Sequence, residues 1–260
     1  MPNAIAVHGK PVAGGKVPLV CTPLTGKTRE AILAEVGAIL PKKPDVIEWR
    51  VDFFEAIAAT EEVIAVASAI QERAGGIPVI LTRRSAREGG QPVPLSEADV
   101  VELCCRVCAS GAVDLVDYEL SNPEDSLRRL REVSRRHDVG LIGSYHNFQF
   151  TPSVEVIREK LLAAEVLGAD VAKVAVMPRS LEDVLALLSA TLRGRRELRI
   201  PIISMSMGPY GSLTRMLGFA FGSALTFAVG QSSSAPGQVP IEDLRAVLDI
   251  VQRSLGGAPI

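Results

Sequence analysis

Seven lysines stand against 21 arginines in this chain, and one of the seven is out of place. Lys173 lies inside Asp170-Val-Ala-Lys-Val-Ala-Val176, a run otherwise apolar after its first residue, whereas the other six occupy polar or turn-like surroundings. Alternation at period two sets it on one face with Val171 and Ala175. A buried ammonium is disfavoured by desolvation and by neighbouring guanidinium groups. The neutral amine is the nucleophile that makes a Schiff base with a ketone. The bland alternative is a lysine snorkelling to a rim or ion-paired with Glu48. The pattern alone leaves both readings open.

His146, in Ser144-Tyr-His-Asn147, is the natural general acid/base because imidazole titrates near neutrality. As a lone histidine it also fits a structural hydrogen-bonding role. Glu88 is a candidate to orient it, or simply a solvated loop carboxylate. Arg50, Arg84 and Arg215 suit a substrate bearing a carboxylate and hydroxyls, since a guanidinium fork matches carboxylate geometry. Ion pairing or solvation is the default for any one of them, but three near strand ends point to an anionic ligand. Met205 and Met207 read as barrel packing, and His8 and His137 carry no role. The stretch Ser234-Ala-Pro-Gly-Gln238 fits a mobile lid or an ordinary exposed loop equally well.

These residues fall at the ends of short apolar or β-branched runs. The predicted strands are 17–21, 45–50, 78–82, 113–119, 139–145, 170–176, 200–204 and 222–229. Between them apolar residues recur at helical spacing: Ile32, Leu33, Val36, Ile39 and Leu40 share one face, and Val63, Ile64, Ala67 and Ile70 another. Helix starts are signalled by Ser96, Asn122-Pro123 and Ser180. Eight βα units at roughly 30-residue spacing, without a glycine-rich dinucleotide fingerprint, predict a closed (β/α)₈ barrel rather than an open doubly wound sheet. Active sites of such barrels form at the C-terminal ends of the strands. Ala4–Val7 and Lys16–Val20, flanking His8-Gly-Lys-Pro-Val-Ala-Gly-Gly15, predict a hairpin that plugs the barrel bottom. No linker or low-complexity segment divides residues 1–260, so a single domain is expected.

Composition narrows the function. Hydrophobic residues at 47% and charged residues at 22% provide a sizeable core. A formal charge of −2 with 4% aromatics offers neither a field nor stacking platforms for nucleic acid. The uncharged run Met216–Ile241 loses its apolar character near Val229, short of the about 20 residues a bilayer span needs. The N-terminus lacks the basic and apolar regions of a signal peptide. Cys21, Cys104, Cys105 and Cys108 read as reduced, buried thiols of a cytoplasmic protein; Cys105-x-x-Cys108 has no second pair to complete a zinc site.

Seven segments in order resemble the type I 3-dehydroquinate dehydratases. They are Glu48-Trp-Arg-Val-Asp52, Arg84-Ser-Ala-Arg-Glu-Gly-Gly90, Ser144-Tyr-His-Asn-Phe148, Ala169-Asp-Val-Ala-Lys-Val-Ala-Val-Met-Pro178, Ile203-Ser-Met-Ser-Met207, Phe221-Gly-Ser-Ala224 and Ser234-Ala-Pro-Gly-Gln238. The resemblance implies a (β/α)₈ barrel, a homodimer, and dehydration of 3-dehydroquinate without a metal or diffusible cofactor. It implies Lys173 as Schiff-base lysine, His146 as acid/base and Glu88 as its assistant. Glu48, Arg50 and Arg84 would bind substrate hydroxyls or carboxylate; Arg215, Ser234 and Gln238 would hold the carboxylate. Two segments depart from the family pattern. Cys21-Thr-Pro-Leu-Thr-Gly26 stands where a serine and a methionine are common, with Thr22 the candidate for the serine. Gly208-Pro-Tyr-Gly211 replaces a charged stretch. Another Schiff-base barrel of the class I aldolase type and a silent binder of a cyclic polyol acid are the competing readings.

Overall fold

The computed structural model describes residues 4–12, 18–231 and 234–255. A short antiparallel ribbon, β1 (Ala6–Val7) and β2 (Lys10–Pro11), precedes eight parallel strands. These are β3 (Leu19–Leu24), β4 (Val46–Arg50), β5 (Val79–Thr82), β6 (Leu115–Glu119), β7 (Gly140–Asn147), β8 (Val171–Val176), β9 (Ile202–Ser206) and β10 (Leu225–Val229). The helices that follow them in turn are α1 (Arg29–Ile39), α2 (Thr60–Ala74), α3 (Glu97–Ser110), α4 (Glu124–Arg136), α5 (Val154–Val166), α6 (Leu181–Glu197), α7 (Gly208–Phe221) and α8 (Ile241–Ser254). Strands β3 to β9 pair in chain order and β10 pairs back onto β3. Ala224 N–H donates to Ile202 O at 2.7 Å between β9 and β10, so the sheet closes into the expected (β/α)₈ barrel.

The closure follows from side chains alternating between two unlike faces. Ile47 and Trp49, Val116 and Tyr118, and Ala172, Val174 and Val176 point outward into the core shared with the helices. Leu19, Val46, Ile80, Leu115, Ile142, Val171, Ile203 and Leu225 point inward and form a second, apolar cluster within the lumen. The lumen is therefore dry at its lower end, and its polar residues lie one pleat higher. Asp45, Asp114 and Asp170, each just before a strand, accept the backbone N–H of Val20, Val79 and Leu141 at 2.9, 2.8 and 2.8 Å. Each carboxylate thus ties the start of one strand to its neighbour. Ser96 caps α3 in a capping box with Asp99, and Ser180 caps α6, as those start signals predict.

The N-terminal ribbon corrects the predicted hairpin. Its second arm is Lys10–Pro11, turning at His8 and Gly9, and Leu19 and Val20 belong to the barrel instead. Lys16 and Val17 of the predicted arm lie outside the described residues. The ribbon does cover the barrel bottom: Ile5 and Val12 join the luminal cluster, and His8 contacts Asp114 and Asp138 at 3.3 and 2.8 Å. Gly222, expected in the last strand, instead caps α7 in a left-handed conformation. The uncharged run from Met216 is divided between the end of α7, β10 and the two-residue β11 (Val239–Pro240), which pairs along β10. Among the described residues no helix is long and apolar enough to cross a membrane.

Candidate active site

All nine residues singled out in the sequence line one cavity at the C-terminal ends of the strands. Glu48 and Arg50 come from β4, His146 from β7 and Lys173 from β8. Arg84 and Glu88 come from the loop after β5, Arg215 from α7, and Ser234 and Gln238 from the segment before β11.

Lys173 occupies the inward face with Val171 and Ala175, and it is buried. Its Nζ donates to Asp117 Oδ2 at 2.7 Å and to Glu48 Oε1 at 3.3 Å, and lies 4.8 Å from the centre of the Phe227 ring. The amine therefore meets two carboxylates. Arg84 binds the far oxygen of Asp117 at 2.7 Å. Ser144 Oγ donates to that same oxygen at 2.6 Å, so both oxygens of Asp117 are engaged. Arg84 and Lys173 together hold the Asp117 carboxyl far below the usual carboxylate range, against the opposing effect of burial.

His146 belongs to β7 itself, directly opposite Ala175, rather than to the turn beyond it. Its Nδ1 lies 3.0 Å from Glu88 Oε2, which also accepts the His146 backbone N–H at 2.9 Å. Ser121 Oγ donates to Glu88 Oε1 at 2.6 Å. With two other donors aimed at it, Glu88 acts as an acceptor toward Nδ1–H, which leaves Nε2 with a free lone pair. Burial and the Glu119 charge push Glu88 up to about 7. Burial, followed by the Arg84 and Lys173 charges, pushes the imidazole well below its ordinary value. A neutral imidazole anchored at one nitrogen is arranged to accept a proton at the other. The loop can deliver Glu88 because Ser85 Oγ caps the short turn Ala86–Glu88 and Gly89 takes φ +83° beyond it. A Cβ at Gly89 would stand 2.3 Å from the Phe148 ring.

The three arginines are not equivalent. Arg50 forms a bidentate pair with Asp52, both contacts at 2.8 Å. Arg84 is matched by Asp117 and by Glu119, the latter at 3.1 Å. Arg215 is 1% exposed, yet among the described residues it meets no carboxylate. Among the described residues its guanidinium reaches only Met205 Sδ at 3.6 Å and Pro236 O at 3.3 Å. Burial alone pulls it down to about 10. A buried cation without a counter-charge is a ready receptor for a ligand anion.

Ser234 and Gln238 bond reciprocally: Ser234 N–H donates to Gln238 Oε1 at 3.1 Å, and Gln238 Nε2 donates to Ser234 Oγ at 3.2 Å. The turn lies across the cavity on two of its arginines, since Arg50 donates to Ser234 O at 3.3 Å and Arg215 to Pro236 O. Gly208 N–H donates to Pro236 O at 3.2 Å, and a Cβ at Gly237 would fall 2.1 Å from Gly208 O. The unusual segment Gly208-Pro-Tyr-Gly211 is thus where this turn docks. Thr22 is not part of the site. It is the residue between Cys21 of the luminal cluster and Pro23, so it faces the helix layer, and its buried Oγ1 finds no partner among the described residues.

Sequence reasoning predicted β6 as a strand but drew no site residue from it. Asp117 and Glu119 alternate with Val116 and Tyr118, the same period-two pattern that isolates Lys173, and that signal could have found both. It also overlooked Asp52, which accepts from Arg50 and from the backbone N–H groups of Arg84 and Gln91 at 3.2 and 3.0 Å. One carboxylate thereby fastens two loops of the site. No local pattern marks that role.

Fold and site together define a barrel enzyme of the lysine-nucleophile kind, equipped for amine chemistry on an anionic carbonyl compound. The comparisons make this specific. The family model for type I 3-dehydroquinase matches residues 20–254. The chain is 56% identical over 252 residues to the 3-dehydroquinate dehydratase of Albidiferax ferrireducens, covering 97% of this chain and 96% of that one. The crystal structure of 3-dehydroquinate dehydratase from Geobacillus kaustophilus matches with a TM-score of 0.94 at 49% identity over 97% of each chain. The type I enzyme of Clostridium difficile, solved with covalently modified comenic acid, matches with a TM-score of 0.92 at 36% identity over 98% of this chain and 100% of that one. The chain belongs to the type I 3-dehydroquinase family.

Proposed function

We propose that the protein dehydrates 3-dehydroquinate to 3-dehydroshikimate through a Schiff base on Lys173. The observation that carries this reading is the convergence on one cavity of the Lys173 amine, the Glu88-anchored imidazole of His146 and the Arg215 guanidinium, which meets no carboxylate among the described residues. Arg215, with Ser234 and Gln238, holds the substrate carboxylate, while Glu48, Arg50 and Arg84 meet its hydroxyls. Lys173 attacks the C3 ketone, and the carbinolamine loses water to give an iminium. The iminium withdraws electrons, so a C2 proton leaves to His146 Nε2 and an enamine forms. The imidazolium returns that proton to the C1 hydroxyl, which departs as water while the C1–C2 double bond forms. Hydrolysis of the conjugated iminium consumes one water, frees Lys173 and releases the enone. The iminium supplies the electrophile, so the route calls on no metal or diffusible cofactor.

The working unit is one barrel domain, paired as a homodimer in the cytoplasm. The dimer reading is supported by exposed Leu181 and Leu185 on α6 beside Tyr210, Leu213 and Leu217 on α7. The reducing compartment is supported by four free, buried cysteines. Borohydride added with 3-dehydroquinate should leave a reduced adduct on the peptide containing Lys173, and an ultraviolet assay should record growth of the enone. An adduct on another lysine, or full turnover in Lys173→Ala, refutes the assignment. Carbon–carbon cleavage products would mark an aldolase, and binding without enone would mark a silent binder.

A further inference from the structure

Asp117 is fully buried, and it is not among the residues lining the cavity. It nevertheless makes the shortest contact to Lys173, 2.7 Å against 3.3 Å for Glu48. The number of hydrogens on nitrogen turns this difference into a consequence. An ammonium has three N–H donors, so Asp117 and Glu48 can both be served. Condensation with a ketone sends two of those hydrogens and the carbonyl oxygen away as one water, and the iminium keeps a single N–H. One carboxylate must lose its bond.

We infer that Asp117 is the counter-ion of the Schiff base: it keeps the single iminium N–H, fixes the configuration of the C=N bond, and leaves Glu48 free to receive a substrate hydroxyl. The inference rests on Lys173 being the nucleophile. Asp117 acts through Lys173 and is a positioning residue. Its geometry suits this task, because Arg84 and Ser144 clamp Oδ1 and aim Oδ2 at Nζ. Glu48 is held less firmly, by Thr82 Oγ1 at 2.9 Å on the oxygen that also faces Nζ. Among the described residues the other groups that act on Nζ are Cys21 from β3 and His146 from β7, while Arg84 beyond β5 holds the far oxygen of Asp117. None of these supplies a carboxylate. A fixed anion beside the iminium keeps it protonated, and only the protonated form is an effective electron sink.

The test compares Asp117→Asn and Glu48→Gln with the native enzyme, using cyanoborohydride, which reduces iminium ions but not neutral imines, with saturating 3-dehydroquinate from about pH 7 to 9. The native enzyme should trap adduct at a nearly constant rate across this range. In Asp117→Asn trapping should fall about tenfold, its midpoint moving down by about one pH unit or more, with KM changed less than about threefold. Glu48→Gln should raise KM yet keep the native pH profile. A native profile in folded Asp117→Asn overturns the inference, and so does a Glu48→Gln profile that shifts downward. If Asp117→Asn does not fold, the Glu48→Gln profile alone decides. Absence of any Lys173 adduct in the native enzyme would instead refute the parent reading of the reaction.

Discussion

Replacing Arg215 with methionine should make the protein more stable and nearly useless to its substrate. Burial alone pulls the guanidinium from its ordinary value down to about 10. At about 1.4 kcal/mol per pH unit, this corresponds to roughly 3 kcal/mol held against the charged form in the folded state. The sign follows from which state binds the proton more tightly. The folded protein binds it less tightly than the unfolded chain, so the penalty is in full force at neutral pH and fades only as pH climbs past about 10. Methionine keeps most of the volume beside Met205 and removes the charge. The lost hydrogen bond to Pro236 O is worth about 1 kcal/mol, which leaves a net gain of about 2 kcal/mol. For a chain of this size that gain raises Tm by several degrees. Loss of a charge-assisted contact of about 1.5–3 kcal/mol should raise KM for 3-dehydroquinate by roughly 10- to 200-fold. Differential scanning calorimetry and the enone assay read the two effects separately. A lower Tm together with an unchanged KM would refute both the burial argument and the carboxylate role of Arg215.

Glu88→Gln should lower kcat by about tenfold or more with little change in KM, because the imidazole loses its anionic acceptor. In the native enzyme kcat should fall on the acid side with an apparent midpoint near 7 that belongs to the Glu88–His146 pair, and kcat–pH profiles should show that limb flattened in the variant. His8→Ala should destabilise the fold by a small amount, fully below about pH 6.5 and progressively less above it. Asp138 and Asp114 raise His8 in the folded state, so its contribution is present when the unfolded chain is also protonated and is lost as pH rises through the folded value; denaturant midpoints at pH 5.5 and 8.5 check this. The native protein should sediment as the proposed dimer, and Leu185→Lys with Leu213→Lys as a monomer of unchanged CD, since both side chains are exposed on the monomer.

Periodicity carried the fold a long way. Strand runs at even spacing, helical faces between them and caps at Ser96 and Ser180 are local matters, settled within a few residues of chain, and they imply eight βα units without any knowledge of contacts. A strand's inward face is likewise local, so Lys173, Val171 and Ala175 could be grouped from alternation alone. The same alternation sets Asp117 and Glu119 on one face, opposite Val116 and Tyr118, and would have marked them too. Other features had no local signature. The counter-charges of Arg84 and Lys173 lie far along the chain: Asp117 is 33 positions from Arg84, and Glu48 is 125 from Lys173. Arg50, Arg84 and Arg215 look alike in sequence, yet Arg50 finds Asp52 two residues on, Arg84 meets Asp117 only through barrel closure, and Arg215 is left buried without a carboxylate among the described residues. Which way Thr22 points, where the ribbon turns, and which carboxylate sits nearer the amine are fixed by strand register and shear. Those quantities arise from all eight strands closing together, so no single segment encodes them.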